Sequence, residues 1–143
     1  MLLLKTYIVS IYSKTMMIMR DDYKKYIKSL LKYLVDNGYS SKPYPKIVLD
    51  DSNQEGVFIK TGYYNPETKE IRLFTNGRHI KDVLRSCAHE MIHHKQNLDG
   101  RLSEGSYNGD LIIEDDKLMG LEKEAFLNGN IGFREWTEHV SKK

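Results

Sequence analysis

The segment His89-Glu90-Met91-Ile92-His93 limits the fold of this chain more than any other feature, because the spacing of its two histidines is that of a metal site on a helix. Side chains at positions i and i+4 of a helix lie one turn apart on the same face. Two imidazoles placed in this way can bind one Zn²⁺ from the same side. The carboxylate of Glu90 is then directed toward water at the metal, where it can act as a general base.

The residues around this motif predict the helix that the motif requires. Apolar residues follow helical spacing between Arg78 and Gln96, and Asn76-Gly77 stands before them as the expected cap. These apolar positions are Ile80, Val83, Leu84, Cys87, Ala88, Met91 and Ile92. His89 and His93 lie at one edge of the stripe, so they can face a cleft while the rest of the helix packs in the core. The alternative is a surface helix that carries two unrelated histidines.

Other polar side chains on this helix are given structural roles. His94 is rotated away from the face of His89, so we expect a surface residue or a residue that supports a ligand, not a ligand. Cys87 also lies on another face and fits a small buried hydrophobe. Asp82 is expected to be a solvated acid, with orientation of a ligand as the alternative.

A third metal ligand is expected from a second helix, because a catalytic zinc takes three protein ligands and leaves one position for water. Residues 117–129 predict such a helix and offer Glu122 and Glu124 on different faces. Glu122 shares a face with Ala125 and Gly129, where a carboxylate is costly to bury without a partner such as a zinc ion. Glu122 is therefore the predicted ligand, and Glu124 remains the alternative.

The two motifs together resemble the gluzincin branch of the zincin metallopeptidases. His89-Glu90-x-x-His93 followed by Glu122-x-x-Ala125 is similar to the minigluzincins and to compact metallopeptidases of phage and bacterial genomes. The resemblance covers roughly residues 43–137, including a hairpin-like stretch before the metal-binding helix. It implies that His89, His93 and Glu122 bind Zn²⁺ and that Glu90 is the catalytic base of peptide hydrolysis.

The remaining segments predict an α+β domain. A first helix should open at Asp21-Asp22 and end at Asn37-Gly38. Strands are expected at Ile47–Leu49, Val57–Tyr63 and Glu70–Phe74, in a small antiparallel or mixed sheet that packs on the metal-binding helix and the C-terminal ligand helix. The last helix should run from about Lys117 to Val140, with a kink near Gly129.

The second and third strands form the predicted substrate edge. A peptide or protein substrate would bind there as an added β-strand, as the zincin resemblance implies. Tyr63 and Tyr64 are expected to pack within this hairpin, with donation to an oxyanion as the alternative. Tyr107 is a further possible donor in the loop between the ligand segments.

Composition limits the class of protein. The chain has 143 residues, 40% of them hydrophobic and 29% charged, which fits one globular domain. A net charge of +2 does not favour a nucleic-acid partner, and no apolar run is long enough to span a bilayer. The single cysteine, Cys87, excludes an internal disulfide. Secretion is not expected. A cytoplasmic location is the prediction, in a bacterial cell or a phage-infected host as the resemblance to the compact metallopeptidases implies.

The domain is predicted to span residues 20–143, preceded by an extension at residues 1–19. Translation starting at Met16, Met17 or Met19 would explain this extension, and an edge strand at Thr6–Tyr12 is the alternative. The function predicted for the domain is zinc-dependent hydrolysis of peptide bonds. Its rivals are a non-catalytic zinc-binding structural or regulatory protein of phage or bacterial origin, and an interaction module without metal.

Overall fold

The structure is a computed structural model that describes residues 22–54, 60–102 and 116–142. Its helices and strands are α1 (22–36), β1 (Lys46–Asp50), β2 (Gly62–Asn65), β3 (Glu70–Phe74), α2 (Ile80–Leu98) and α3 (Asp116–Ser141). The predictions for residues 1–19, for residues 57–59 of the second strand and for Tyr107 lie outside these ranges. Within them, the helices and the mixed sheet confirm the predicted α+β class.

Helix α1 follows the apolar spacing of its sequence. Tyr23, Ile27, Leu30, Leu31 and Leu34 are all buried in the core, as helical periodicity requires. The chain leaves the helix through Gly38, whose φ of +81° favours glycine because it has no Cβ. The predicted first helix is confirmed from residue 22 onward, and so is its C-terminal cap; the predicted start at Asp21 lies outside the described residues.

The described strands form a sheet in the order β1-β3-β2. Strand β1 pairs in parallel with β3, and β2 pairs antiparallel with β3. The turn between β2 and β3 forms because the Asn65 side chain accepts hydrogen bonds from the backbone of Glu67 and Thr68. The predicted second strand is partly wrong, since Lys60 and Thr61 are not in a strand and the strand continues to Asn65.

Helix α2 packs on one face of this sheet and joins it through Arg78. The guanidinium of Arg78 donates to the carbonyls of Thr61 and Phe74 at 2.8 Å each, and to the carbonyl of Asp82 at 2.9 Å. The helix thus begins at a fixed position relative to β2 and β3. Its cap is His79, whose ring accepts from the backbone of Lys81, so the prediction of an Asn76-Gly77 cap is wrong.

Helix α3 crosses α2 on one side and α1 on the other. Trp136 donates to the Ser29 hydroxyl of α1 at 3.0 Å, and a Cβ on Gly132 would lie 2.7 Å from Leu34 Cδ2. The helix is continuous from Asp116 to Ser141, so no break occurs near Gly129, and the predicted kink there stays a prediction. The glycines of this stretch allow close packing with neighbouring helices. No described helix has an apolar stretch long enough to cross a membrane.

Candidate metal centre

His89 and His93 lie on one face of α2, as their spacing predicts. Their ring centroids are 5.0 Å apart and the ring planes meet at 76°. The His93 side chain is fully buried, whereas that of His89 retains a quarter of its exposure. The pair therefore lies where the core meets a solvent-accessible surface.

Helix α3 brings Glu122 to both histidines. Its Oε1 lies 2.5 Å from His93 Nε2, and its Oε2 lies 3.3 Å from His89 Nε2. One ligand atom from each of these three residues lies within 4.8 Å of the others, so the group could hold a metal ion. This group combines two helices that are separated in sequence by a long connection.

Glu124, the alternative third ligand, lies elsewhere. Its two carboxylate oxygens each accept a hydrogen bond of 2.7 Å from the Arg101 guanidinium. Arg101 follows α2 directly, so this ion pair ties the end of α2 to α3. Glu124 is therefore held by an ion pair with Arg101 and does not belong to the group formed by His89, His93 and Glu122.

The close approach of α2 and α3 depends on small residues in α3. Ala125 is fully buried one turn after Glu122, and Gly129 follows on the same face. A Cβ on Gly129 would lie 3.0 Å from both Cα and N of His89. The backbones thus touch beside the candidate metal ligands, which places Glu122 within reach of the histidines.

The electrostatics of this group favour an ionised carboxylate. Burial raises the pKa of Glu122, but hydrogen bonds from His89 and His93 outweigh it and hold the pKa well below its ordinary value of 4.5. Burial also lowers the pKa of His93, but the hydrogen bond to Glu122 and the charge of Glu90 outweigh it, so this pKa is raised above 6.5. The carboxylate is therefore negatively charged at neutral pH and suited to bind a cation.

Glu90 lies on α2 between the two histidines and is only 5% exposed. A Cβ on Gly62 would lie 3.8 Å from Glu90 Cγ, so the side chain lies beside the first residue of β2. The same Cβ would lie 3.1 Å from the Arg72 carbonyl, which explains why a glycine fits here. Glu90, the base predicted from the motif, thus lies between α2 and β2.

His94 does not belong to the candidate metal centre and is not a surface residue. It is fully buried, and its Nε2 donates to the Pro43 carbonyl at 2.7 Å. Its Nδ1 accepts from the Tyr64 hydroxyl at 2.8 Å, and that hydroxyl in turn accepts from Asn97. Burial lowers the pKa of His94, consistent with a neutral ring. The expected packing role of Tyr64 is confirmed.

The other predictions for α2 are also confirmed. Cys87 is fully buried, and burial raises the pKa of its thiol to about 12. Asp82 is exposed and pairs with Arg85 at 2.9 Å, as expected of a solvated helix acid.

Gln96 is a residue of this region that sequence reasoning missed. It is fully buried, and its Oε1 lies 2.8 Å from His93 Nδ1. Its position three residues after His93 was a usable signal, since such pairs lie on one helix face.

Comparison of the chain with known protein families, with characterised proteins and with solved structures found no significant match. The resemblance to gluzincins therefore stays a prediction from the two sequence motifs.

Proposed function

We propose that this chain is a zinc-dependent peptidase of the gluzincin type. The observation that carries the proposal is the convergence of His89, His93 and Glu122, whose ligand atoms lie within 4.8 Å of one another. Glu90, buried on the same helix beside the edge of the sheet, supplies the general base.

The donor set favours zinc. Two imidazole nitrogens and one carboxylate oxygen are the protein ligands of many catalytic zinc sites. Ligand atoms at about 2.0–2.1 Å from zinc in a tetrahedral arrangement lie roughly 3.3 Å apart. The distance of 3.3 Å between His89 Nε2 and Glu122 Oε2 fits this value. The shorter distance of 2.5 Å between His93 Nε2 and Glu122 Oε1 is that of a hydrogen bond, and a modest side-chain rotation would open it.

Partial exposure of the ligands supports a catalytic site over a purely structural one. Structural zinc sites are closed by four protein ligands, whereas catalytic sites keep one position open to water or substrate. The side chains of His89 and Glu122 each retain 25% of their exposure. Among the described residues, this group offers three ligands, and one side of the group faces solvent.

Glu90 is placed to transfer protons. A bound zinc ion would supply Lewis acidity, polarising a carbonyl and lowering the pKa of water. The Glu90 carboxylate would accept a proton from the attacking water and later release it to the leaving amine. Its burial against β2 keeps the carboxylate in one position, so that little reorganisation is needed during the reaction.

Strand β2 is the proposed docking edge for a peptide substrate. In the described part of the chain it pairs only with β3, and its other edge is the one proposed to accept an added strand. Its first residue, Gly62, lies next to Glu90. A peptide hydrogen-bonded to this edge would therefore pass beside the base and the metal ligands, through backbone contacts that tolerate many sequences.

A comparison of Glu90→Gln with wild type tests the proposed function. Both proteins are loaded with zinc and assayed with a library of fluorogenic peptides. We expect the variant to retain zinc and to lose at least about 100-fold in kcat/KM, because a general base contributes this much. Glu67→Gln, in the exposed turn after β2, is the matched control and should keep wild-type activity. Full hydrolysis by Glu90→Gln would refute the mechanism. A zinc-loaded wild type that cleaves no peptide would favour the non-catalytic zinc-binding alternative.

A further inference from the structure

Gln96 spans the interface between the two helices that carry the metal-binding residues. Its Oε1 lies 2.8 Å from His93 Nδ1, and its Nε2 donates to the Leu121 carbonyl at 3.1 Å. The side chain is fully buried. A buried amide is costly unless both of its ends are hydrogen-bonded, and here both ends have partners on ligand-bearing segments.

These two contacts determine which nitrogen of His93 carries hydrogen. A backbone carbonyl can only accept, so the Leu121 oxygen requires the amide nitrogen of Gln96 to face it. The amide oxygen then faces His93, and since this oxygen also only accepts, Nδ1 must carry the hydrogen. When His93 loses the hydrogen that its Nε2 shares with Glu122, as binding of a metal ion requires, the lone pair is therefore on Nε2, the nitrogen directed at Glu122.

The same side chain fixes the position of the third ligand. Leu121 directly precedes Glu122 in α3, so the hydrogen bond from Gln96 holds the backbone next to that carboxylate. One residue of α2 therefore orients a histidine on its own helix and the segment that presents the carboxylate on the other. Hydrogen bonds of this kind on metal-binding histidines restrict the ring and its tautomer.

We propose that Gln96 is a positioning residue of the metal centre. It fixes the tautomer of His93 and the position of Glu122 relative to His93. The inference rests on the proposed function, because it requires that the centre binds a metal ion. It goes beyond that function by assigning a role to a buried residue outside the H-E-x-x-H and E-x-x-A motifs.

The test compares zinc affinity and the visible spectrum of the Co²⁺-substituted protein among variants at this position. Gln96→Met keeps a similar length but has no amide, and we expect its zinc affinity to fall about 10- to 100-fold. The cobalt absorption bands should change in position or intensity, because the ligand geometry is less fixed. Gln96→Glu retains an acceptor for His93 Nδ1 but cannot donate to the Leu121 carbonyl, so it should recover only part of the affinity. Gln96→Asn, which is too short to reach both partners, replaces Gln96→Met if that variant does not fold.

Tyr64→Phe is the matched control for a merely structural effect. It removes the hydrogen bonds that the Tyr64 hydroxyl makes with His94 and Asn97, neither of which is one of the three proposed ligands. We expect it to lower stability while the zinc affinity and the cobalt spectrum of the folded protein stay as in wild type.

Three results would overturn the assignment in distinguishable ways. Unchanged zinc affinity and cobalt spectrum in Gln96→Met would show that Gln96 does not position the ligands. An equal loss of affinity in Tyr64→Phe would show that general destabilisation explains the effect. A wild type that binds no metal would refute the proposed function, and this inference with it.

Discussion

Replacing Gly129 with alanine tests whether α2 and α3 meet as closely as the candidate metal centre requires. The added Cβ would lie 3.0 Å from His89 Cα, 3.0 Å from His89 N and 3.3 Å from the Ala88 carbonyl carbon. These are backbone atoms, which cannot rotate away as a flexible side chain can. The helices must therefore separate by roughly half an ångström to restore ordinary van der Waals contact.

The size of the effect follows from two opposing contributions. Overpacking of a tight contact costs about 1–3 kcal/mol in the free energy of unfolding. Alanine in place of glycine within a helix contributes about 1 kcal/mol of stabilisation. We expect Gly129→Ala to lose up to about 2 kcal/mol, and to bind zinc more weakly because the backbone of His89 moves relative to Glu122.

Gly120→Ala is the matched control, because it lies in the same helix and no described atom outside its own stretch of helix lies within 4 Å of its Cβ position. It should be stabilised by up to about 1 kcal/mol and leave zinc affinity unchanged. The helix-propensity gain is similar in both variants, so the difference between their free energies of unfolding isolates the steric cost. Urea denaturation of the metal-free proteins and zinc titration against a competing chelator provide the measurements. If the two variants have equal stability and equal zinc affinity, the close crossing at Gly129 is refuted.

Two further perturbations have defined outcomes. Glu124→Gln removes the ion pair with Arg101, whose two side chains are partly exposed. Urea denaturation should therefore show a free energy of unfolding lower by at most about 1 kcal/mol, with zinc content unchanged. A loss of zinc would instead make Glu124 a ligand. The Tyr39 hydroxyl donates to Glu135 at 2.6 Å, and this hydrogen bond, together with burial, raises the pKa of the phenol from 10.0 to about 12. Because the folded pKa is raised, the bond contributes stability below about pH 10, which is lost as the pH rises to about 12. Ultraviolet titration of wild type against Tyr39→Phe checks this, and a phenol that titrates near its ordinary value would contradict it.

Features that depend on the residues of a single helix were predictable from the sequence. The apolar spacing of α1 and α2 identified the buried faces of both helices, because burial of a helix follows its own periodicity. The facial position of Glu122 beside Ala125 and Gly129 likewise pointed to the side of α3 that faces the histidines.

Features that depend on a partner distant in sequence were not predictable. Gly129 has a sequence context typical of a kink, and only the position of the His89 backbone shows that its role is close packing. His94 is polar and next to a metal-binding residue, yet it is buried because Pro43 and Tyr64 satisfy its ring nitrogens. The contact of Gln96 with His93 could have been predicted from helical spacing, whereas its second partner, a backbone carbonyl of α3, could not.

The most direct test of the central claim is the metal content of the protein after purification without added metal, by elemental analysis and zinc titration. Wild type and Glu124→Gln should each contain about one zinc per chain, and Glu122→Gln should lose most of its zinc because one of three ligands is weakened. A wild type that takes up no zinc on titration, or a Glu122→Gln variant that binds zinc as tightly as wild type, would contradict the assignment of His89, His93 and Glu122 as a metal centre.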